Sequence, residues 1–170
     1  LPSPRGAVQN TQAFALTSSD EKAVPVQTWP LAYWPDGSLQ WSGVATVAGP
    51  EAKGEFKLTV ATADVPAPAD AAVVRVSHSD TTYEIDTGRV KVRVPKWGRD
   101  LVDSIIVDGR EVARDGRLVC ILQDGPDGDV EDTPSRERYG SRVDRVTVEQ
   151  SGPVRAVVKI EGMHLGLKSN

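Results

Sequence analysis

Cysteine is almost missing from this 170-residue chain, and Cys120 alone cannot form a disulfide within it. Methionine occurs once and histidine twice, and His78 and His164 lie too far apart in sequence to suggest a zinc site without a third ligand. No apolar run approaches the roughly 20 residues that cross a bilayer as a helix. Positive charge is in deficit: 20 Lys and Arg stand against 24 Asp and Glu, a net charge of -4. Electrostatic capture of nucleic acid or of an anionic membrane surface needs clustered positive charge, so neither is expected as a partner. No serine-nucleophile elbow, phosphate loop or dinucleotide-binding glycine pattern occurs. Helical periodicity is lacking throughout, and with it the basis for an α-class fold.

What is abundant is valine. The chain holds 24 Val and 5 Ile against 10 Leu. β-Branched side chains suit a pleated, half-buried surface and lose rotamer freedom in helices. Leu39, Trp41, Gly43, Ala45 and Val47 alternate with Gln40, Ser42 and Thr46. Phe56, Leu58 and Val60 alternate with Glu55, Lys57 and Thr59, and Val90, Val92 and Val94 with Lys91 and Arg93. Each run predicts a strand with one covered face. Further strands are expected at Phe14–Leu16, Val73–Val76, Thr81–Ile85, Leu101–Val107 and Leu118–Leu122, then two long ones at about 139–150 and 153–163. In the last, Val154, Ala156, Val158 and Ile160 face one way, Arg155, Lys159 and Glu161 the other. Pro25 and Pro30 restrict the segment around Val26 to an edge or bulged strand. Turns every eight to twelve residues point to an all-β sandwich or barrel.

Trp34-Pro35-Asp36-Gly37-Ser38 predicts a hairpin turn, because proline presets φ, aspartate bonds its own backbone and glycine accepts positive φ. Asp64 to Asp70, rich in proline and small residues, reads as a linker. One large β domain or two small ones are both compatible with this length and pattern. The chain opens at Leu1 and its last strand nearly reaches Asn170, which suggests a piece of a longer polypeptide.

The block Trp29-Pro30-Leu31-Ala32-Tyr33-Trp34-Pro35-Asp36-Gly37-Ser38-Leu39-Gln40-Trp41, preceded by Pro4-Arg5-Gly6-Ala7, resembles the opening domain of the exo-rhamnogalacturonan lyase family, the PcRGLX/YetA-like group. Tyr83 to Gly88 and Val148 to Ala156 resemble the same family in the same order. The resemblance implies an all-β arrangement of a small N-terminal RIFT-type barrel over residues 1–77, an incomplete central antiparallel β-sandwich over 78–170 and, elsewhere in the parent protein, a C-terminal α/α toroid as a partner domain. It implies a polysaccharide lyase that cleaves pectic rhamnogalacturonan by β-elimination at galacturonate, a pectic polysaccharide or oligosaccharide as partner, no cofactor and an extracytoplasmic, secreted location. It also implies that this portion is a scaffold without activity of its own. The alternative is a non-catalytic carbohydrate-binding or structural β module.

β-Elimination needs a base at C5, a proton donor for the leaving oxygen and a group that neutralises the uronate. Arg136, Arg138 and Tyr139 are the candidate catalytic residues, since arginine clamps a carboxylate and tyrosine moves protons. In an extended strand, however, Arg136 and Arg138 face away from Glu137 and Tyr139, and a solvated, ion-paired strand is the plainer reading. Trp97, in a turn, and Trp34 are candidate sugar contacts. Core packing is the competing expectation for the cluster Trp29, Tyr33, Trp34 and Trp41. Asp124, Asp127, Asp129, Glu131 and Asp132 offer oxygens for calcium, but Pro126 and Gly128 break the known loop spacing. Cys120, inside an apolar run, is expected to pack as a small hydrophobe.

Overall fold

The Pro35-Asp36-Gly37 turn forms as its residues demand. In a computed structural model, which describes residues 1–47, 49, 54–61, 74–126 and 134–166, Gly37 N donates to Trp34 O at 2.9 Å and Trp34 N to Ser38 O at 2.8 Å. Gly37 takes φ +82°, the left-handed residue that closes a three-residue hairpin loop. Asp36 Oδ1 accepts from Ser38 N and from Ser38 Oγ, the latter at 2.6 Å, while Arg5 Nε donates to Asp36 Oδ2 at 3.0 Å. These bonds, the Ser38 hydroxyl foremost, hold the Asp36 carboxyl below its ordinary range. The turn joins β3 (Val26–Tyr33) to β4 (Leu39–Thr46) in an antiparallel pair. Pro30 cannot donate to the ladder, and the register slips between Pro30 and Ala32, as a bulged strand requires.

Those strands belong to a first compact unit, residues 1–74 together with 151–155. It also holds a three-stranded sheet of β1 (Ala13–Thr17), β2 (Ala23–Val24) and β5 (Lys57–Ala61), in the order β2-β1-β5. Residues 151–155 pack here through Gln27, whose Oε1 accepts from Val154 N at 3.2 Å and Arg155 N at 2.8 Å. The Arg155 guanidinium lies 3.6 Å from the Trp29 ring centroid, within range for a cation–π contact.

The second unit comprises residues 75–150 and 156–170. Its five-stranded antiparallel sheet runs β10-β9-β8-β7-β6, from β6 (Arg75–His78), β7 (Thr82–Asp86), β8 (Val90–Pro95), β9 (Val102–Val107) and β10 (Arg110–Gly116). A three-stranded sheet is ordered β11-β12-β13, from β11 (Val119–Gln123), β12 (Arg136–Ser151) and β13 (Ala156–Gly166). The two sheets bury Val94 of β8 against Val143 and Val146 of β12, with Tyr83, Ile85, Val92, Leu101, Val158 and Ile160 around them. Burying an aliphatic side chain of this kind contributes about 1.5–3 kcal/mol. The covered positions of β12 change from odd to even between Val143 and Val146, so strict alternation is interrupted there.

Away from the core, Glu84 lies opposite Arg93, and Asp86 opposite Lys91. Lys91 Nζ sits 3.2 Å from Glu84 and 3.4 Å from Asp86, and Arg93 Nε 3.0 Å from Glu84. Hydrogen bonds from Arg93 and then Lys91 hold the Glu84 carboxyl below its ordinary range.

The structure is all-β among the described residues, with no helix in any of them and none long and apolar enough to cross a membrane. The expected linker over Asp64 to Asp70 lies outside the described residues. Two packing expectations need correction. Tyr33 and Trp41 are each 47% exposed, so only Trp29 and Trp34 of the aromatic cluster are half-buried. Cys120 is exposed rather than packed, as are its neighbours Val119, Ile121 and Leu122 on β11.

Candidate functional site

The first twist of β12 carries the proton-moving groups. β12 pairs with β11 in unbroken register from Arg136 opposite Gln123 to Gly140 opposite Val119, so alternation holds there. Glu137 and Tyr139 therefore share one face, and Arg136 and Arg138 occupy the other. Tyr139 Oη donates to Glu137 Oε2 at 2.6 Å. That bond, with the charge of the carboxylate behind it, raises the phenol above its ordinary value of 10.0. On the opposite face Arg136 Nε donates to Gln123 Oε1 at 2.8 Å, and Arg138 stands opposite Ile121.

A raised phenol is a poor base at neutral pH, because a base must lose its proton before it can accept one. The pair can donate a hydrogen bond or a proton. The structure brings together Tyr139 and Glu137, a partner that sequence reasoning placed on the same face, and does not bring the arginines to them. Replacing Glu137 with Gln is expected to return the Tyr139 phenol toward 10, as it removes the charge that opposes ionisation. Phenolate absorbance during alkaline titration of a chain carrying Tyr33→Phe and Tyr83→Phe measures this. An unchanged midpoint would show that Glu137 does not hold the proton.

Neither candidate sugar contact is a residue of β12. Trp97 is 56% exposed, held beside Gly98, whose φ is +116° and whose backbone exchanges hydrogen bonds with Val143 at 3.1 and 2.7 Å. Trp34 belongs to the first unit, where its Nε1 donates to Ser3 O at 3.0 Å. An indole so bonded is fixed in place, with its polar edge already used.

Sheet pairing also assembles a feature with no sequence motif. An open polar cleft of about 400 Å³ is lined by residues that include His78, Thr82, Glu84, Arg93 and Asp103. His78 packs edge-on against Tyr83, with ring centroids 6.0 Å apart, and Lys96 Nζ lies 4.8 Å from the Tyr83 centroid. Hydroxyls and charges there can bond sugar hydroxyls, but Arg93 is engaged by Glu84. The signal available in the sequence was only strand register, which places Ser77 opposite Glu84 and Glu84 opposite Arg93.

Of the acidic loop, Asp124 is described, and its Oδ1 accepts from Ser135 N at 2.8 Å. Asp127, Asp129, Glu131 and Asp132 lie outside the described residues. Among the described residues no cluster of three His, Cys, Asp or Glu side chains could hold a metal ion.

Comparison with known proteins finds two matching domain families. Residues 1–61 match the PcRGLX-like N-terminal RIFT barrel domain, and residues 74–170 the PcRGLX-like protein central beta sandwich domain. The chain is 34% identical over 165 residues to the uncharacterized protein YetA of Bacillus subtilis (strain 168), covering 97% of this chain. It spans 19% of the length of that relative.

Proposed function

This chain belongs to the PcRGLX-like family, and from that premise we propose that it is a scaffold portion of a polysaccharide lyase acting on pectic rhamnogalacturonan. The reaction removes the C5 proton of a galacturonate and expels the C4 oxygen, leaving a double bond between those carbons. Such a polymer is met outside the cytoplasm, which is where the proposal puts the protein. An α/α toroid in the parent polypeptide would house the chemistry.

One observation carries the scaffold reading. Tyr139 is held protonated by Glu137, while Arg136 and Arg138 lie on the opposite face of the strand. Base, acid and carboxylate clamp must converge on one sugar ring, and these groups diverge. The 170-residue chain is accordingly expected to release no unsaturated uronide from rhamnogalacturonan, measured as the ultraviolet absorbance of the new conjugated double bond. Release that depends on Tyr139 would sink the reading.

A carbohydrate-binding module is the second reading, favoured by the exposure of Trp97 and Trp41. Aromatic rings left in water offer flat apolar faces to pyranoses. Titration with rhamnogalacturonan oligosaccharides separates the two, because a scaffold leaves tryptophan fluorescence unchanged and a binding module quenches it.

A further inference from the structure

Four strands of the second unit bring polar side chains to the open cleft, and these groups differ in whether they are already spent. Ser77 and His78 come from β6, Thr82 and Glu84 from β7, Arg93 from β8 and Asp103 from β9. Arg93 Nε donates to Glu84 Oε2 at 3.0 Å, and Lys91 Nζ lies 3.2 Å from Glu84 Oε1. That group of charges is closed on itself. Asp103 is different: among the described residues its carboxylate has no hydrogen bond and no ion pair. The ring nitrogens of His78, which meets the edge of Tyr83, and the Ser77 hydroxyl have no hydrogen bond among the described residues either. A covering layer of protein is a poor account of such a place. Sealing an unpaired carboxylate away from water costs several kcal/mol, whereas a ligand that donates hydrogen bonds leaves it satisfied.

We propose that this cleft is a binding site for a neutral sugar, held by Asp103, His78 and Ser77. The two oxygens of an ionised carboxylate accept from adjacent hydroxyls at once, and bonds to a charged acceptor are stronger than neutral ones. Imidazole and the serine hydroxyl supply donors and acceptors for the hydroxyls beyond. The charge pattern selects against an acidic sugar. Its carboxylate would meet that of Asp103, and the Arg93 guanidinium that would answer it is turned to Glu84. The cleft volume of about 400 Å³ suits a small ligand, whose sites run to ~300–1,000 Å³. The choice of L-rhamnose as the neutral sugar rests on the pectic reading above, whereas the chemistry of the cleft does not. None of the described lining residues is a tryptophan, so binding here is silent in a fluorescence titration.

Proton magnetic resonance of the full chain tests it, because His78 and His164 are its two histidines and His164→Gln assigns their ring signals. His164 lines a separate, smaller cavity and serves as the internal control. Added L-rhamnose should move the His78 signal to a saturating limit and leave that of His164 in place, while D-galacturonate moves neither. Asp103→Asn should raise the dissociation constant about tenfold or more, the loss of a charged acceptor. That variant removes no bond among the described residues, and circular dichroism confirms that it folds. If D-mannose moves the His78 signal and L-rhamnose does not, the cleft stands as a neutral-sugar site and the pectic reading loses support. Three results would overturn the proposal: no response to either neutral sugar, a response to D-galacturonate as strong as theirs, or unchanged affinity in Asp103→Asn.

Discussion

Replacing Gly162 with Ala is expected to destabilise the sandwich unit by about 1–3 kcal/mol, toward the upper end of what overpacking produces. A Cβ at this position of β13 would overlap the Arg142 carbonyl oxygen and approach the Val143 Cα to 3.1 Å. The obstacle is backbone, which cannot rotate aside as a side chain does, so β12 itself must move. Val143 is among the most buried residues of the unit and packs with Val94 and Val146. Shifting its Cα opens the core it closes, adding a cavity cost to the collision. Urea denaturation followed by circular dichroism measures the effect, which should lower the midpoint with little change in slope. An unchanged midpoint would mean that the strands are not this close.

Gly43→Ala should act in the same direction in the barrel unit, by about 1–2 kcal/mol, because here the obstacle is a side chain. Gly43 stands opposite Trp29 in the hairpin, and an added methyl would overlap the indole. The indole can turn away, but doing so gives up the Arg155 contact, worth about 0.5–1 kcal/mol where exposed. A double-mutant cycle with Trp29→Leu isolates the collision, since the alanine should cost much less once the indole is gone. Additive effects would count against the stated cause.

The contrast between these glycines marks where sequence reasoning succeeds. The Pro35-Asp36-Gly37 turn was legible because its three residues act on their own backbone. The alternating valines of β8 were legible because alternation reports a covered face whatever covers it. Close approach is different: Gly162 and Arg142 are neighbours only through strand pairing, and neither carries a local mark of it. Burial of Cys120 and Trp41 was misjudged for a related reason. Composition states what a side chain prefers, whereas exposure depends on whether another layer lies over it. The proton-moving face of β12 was readable from parity alone. The bond from Tyr139 to Glu137 depends on rotamers and was not, and the polar cleft needs four strands in register. Farther along β12, Arg142 pairs with Asp144 and Arg145 with Glu161.

Residues 151–155 give the barrel unit a particular order of assembly. Gln27 and Trp29 emerge from the ribosome more than a hundred residues before Val154 and Arg155, which they hold. Until those later residues are made, the Gln27 side chain must find water and the Trp29 ring lacks its cation. Nascent barrel is thus an unfinished object while most of the sandwich is being translated. A gene cut at the seam in sequence would leave it so permanently.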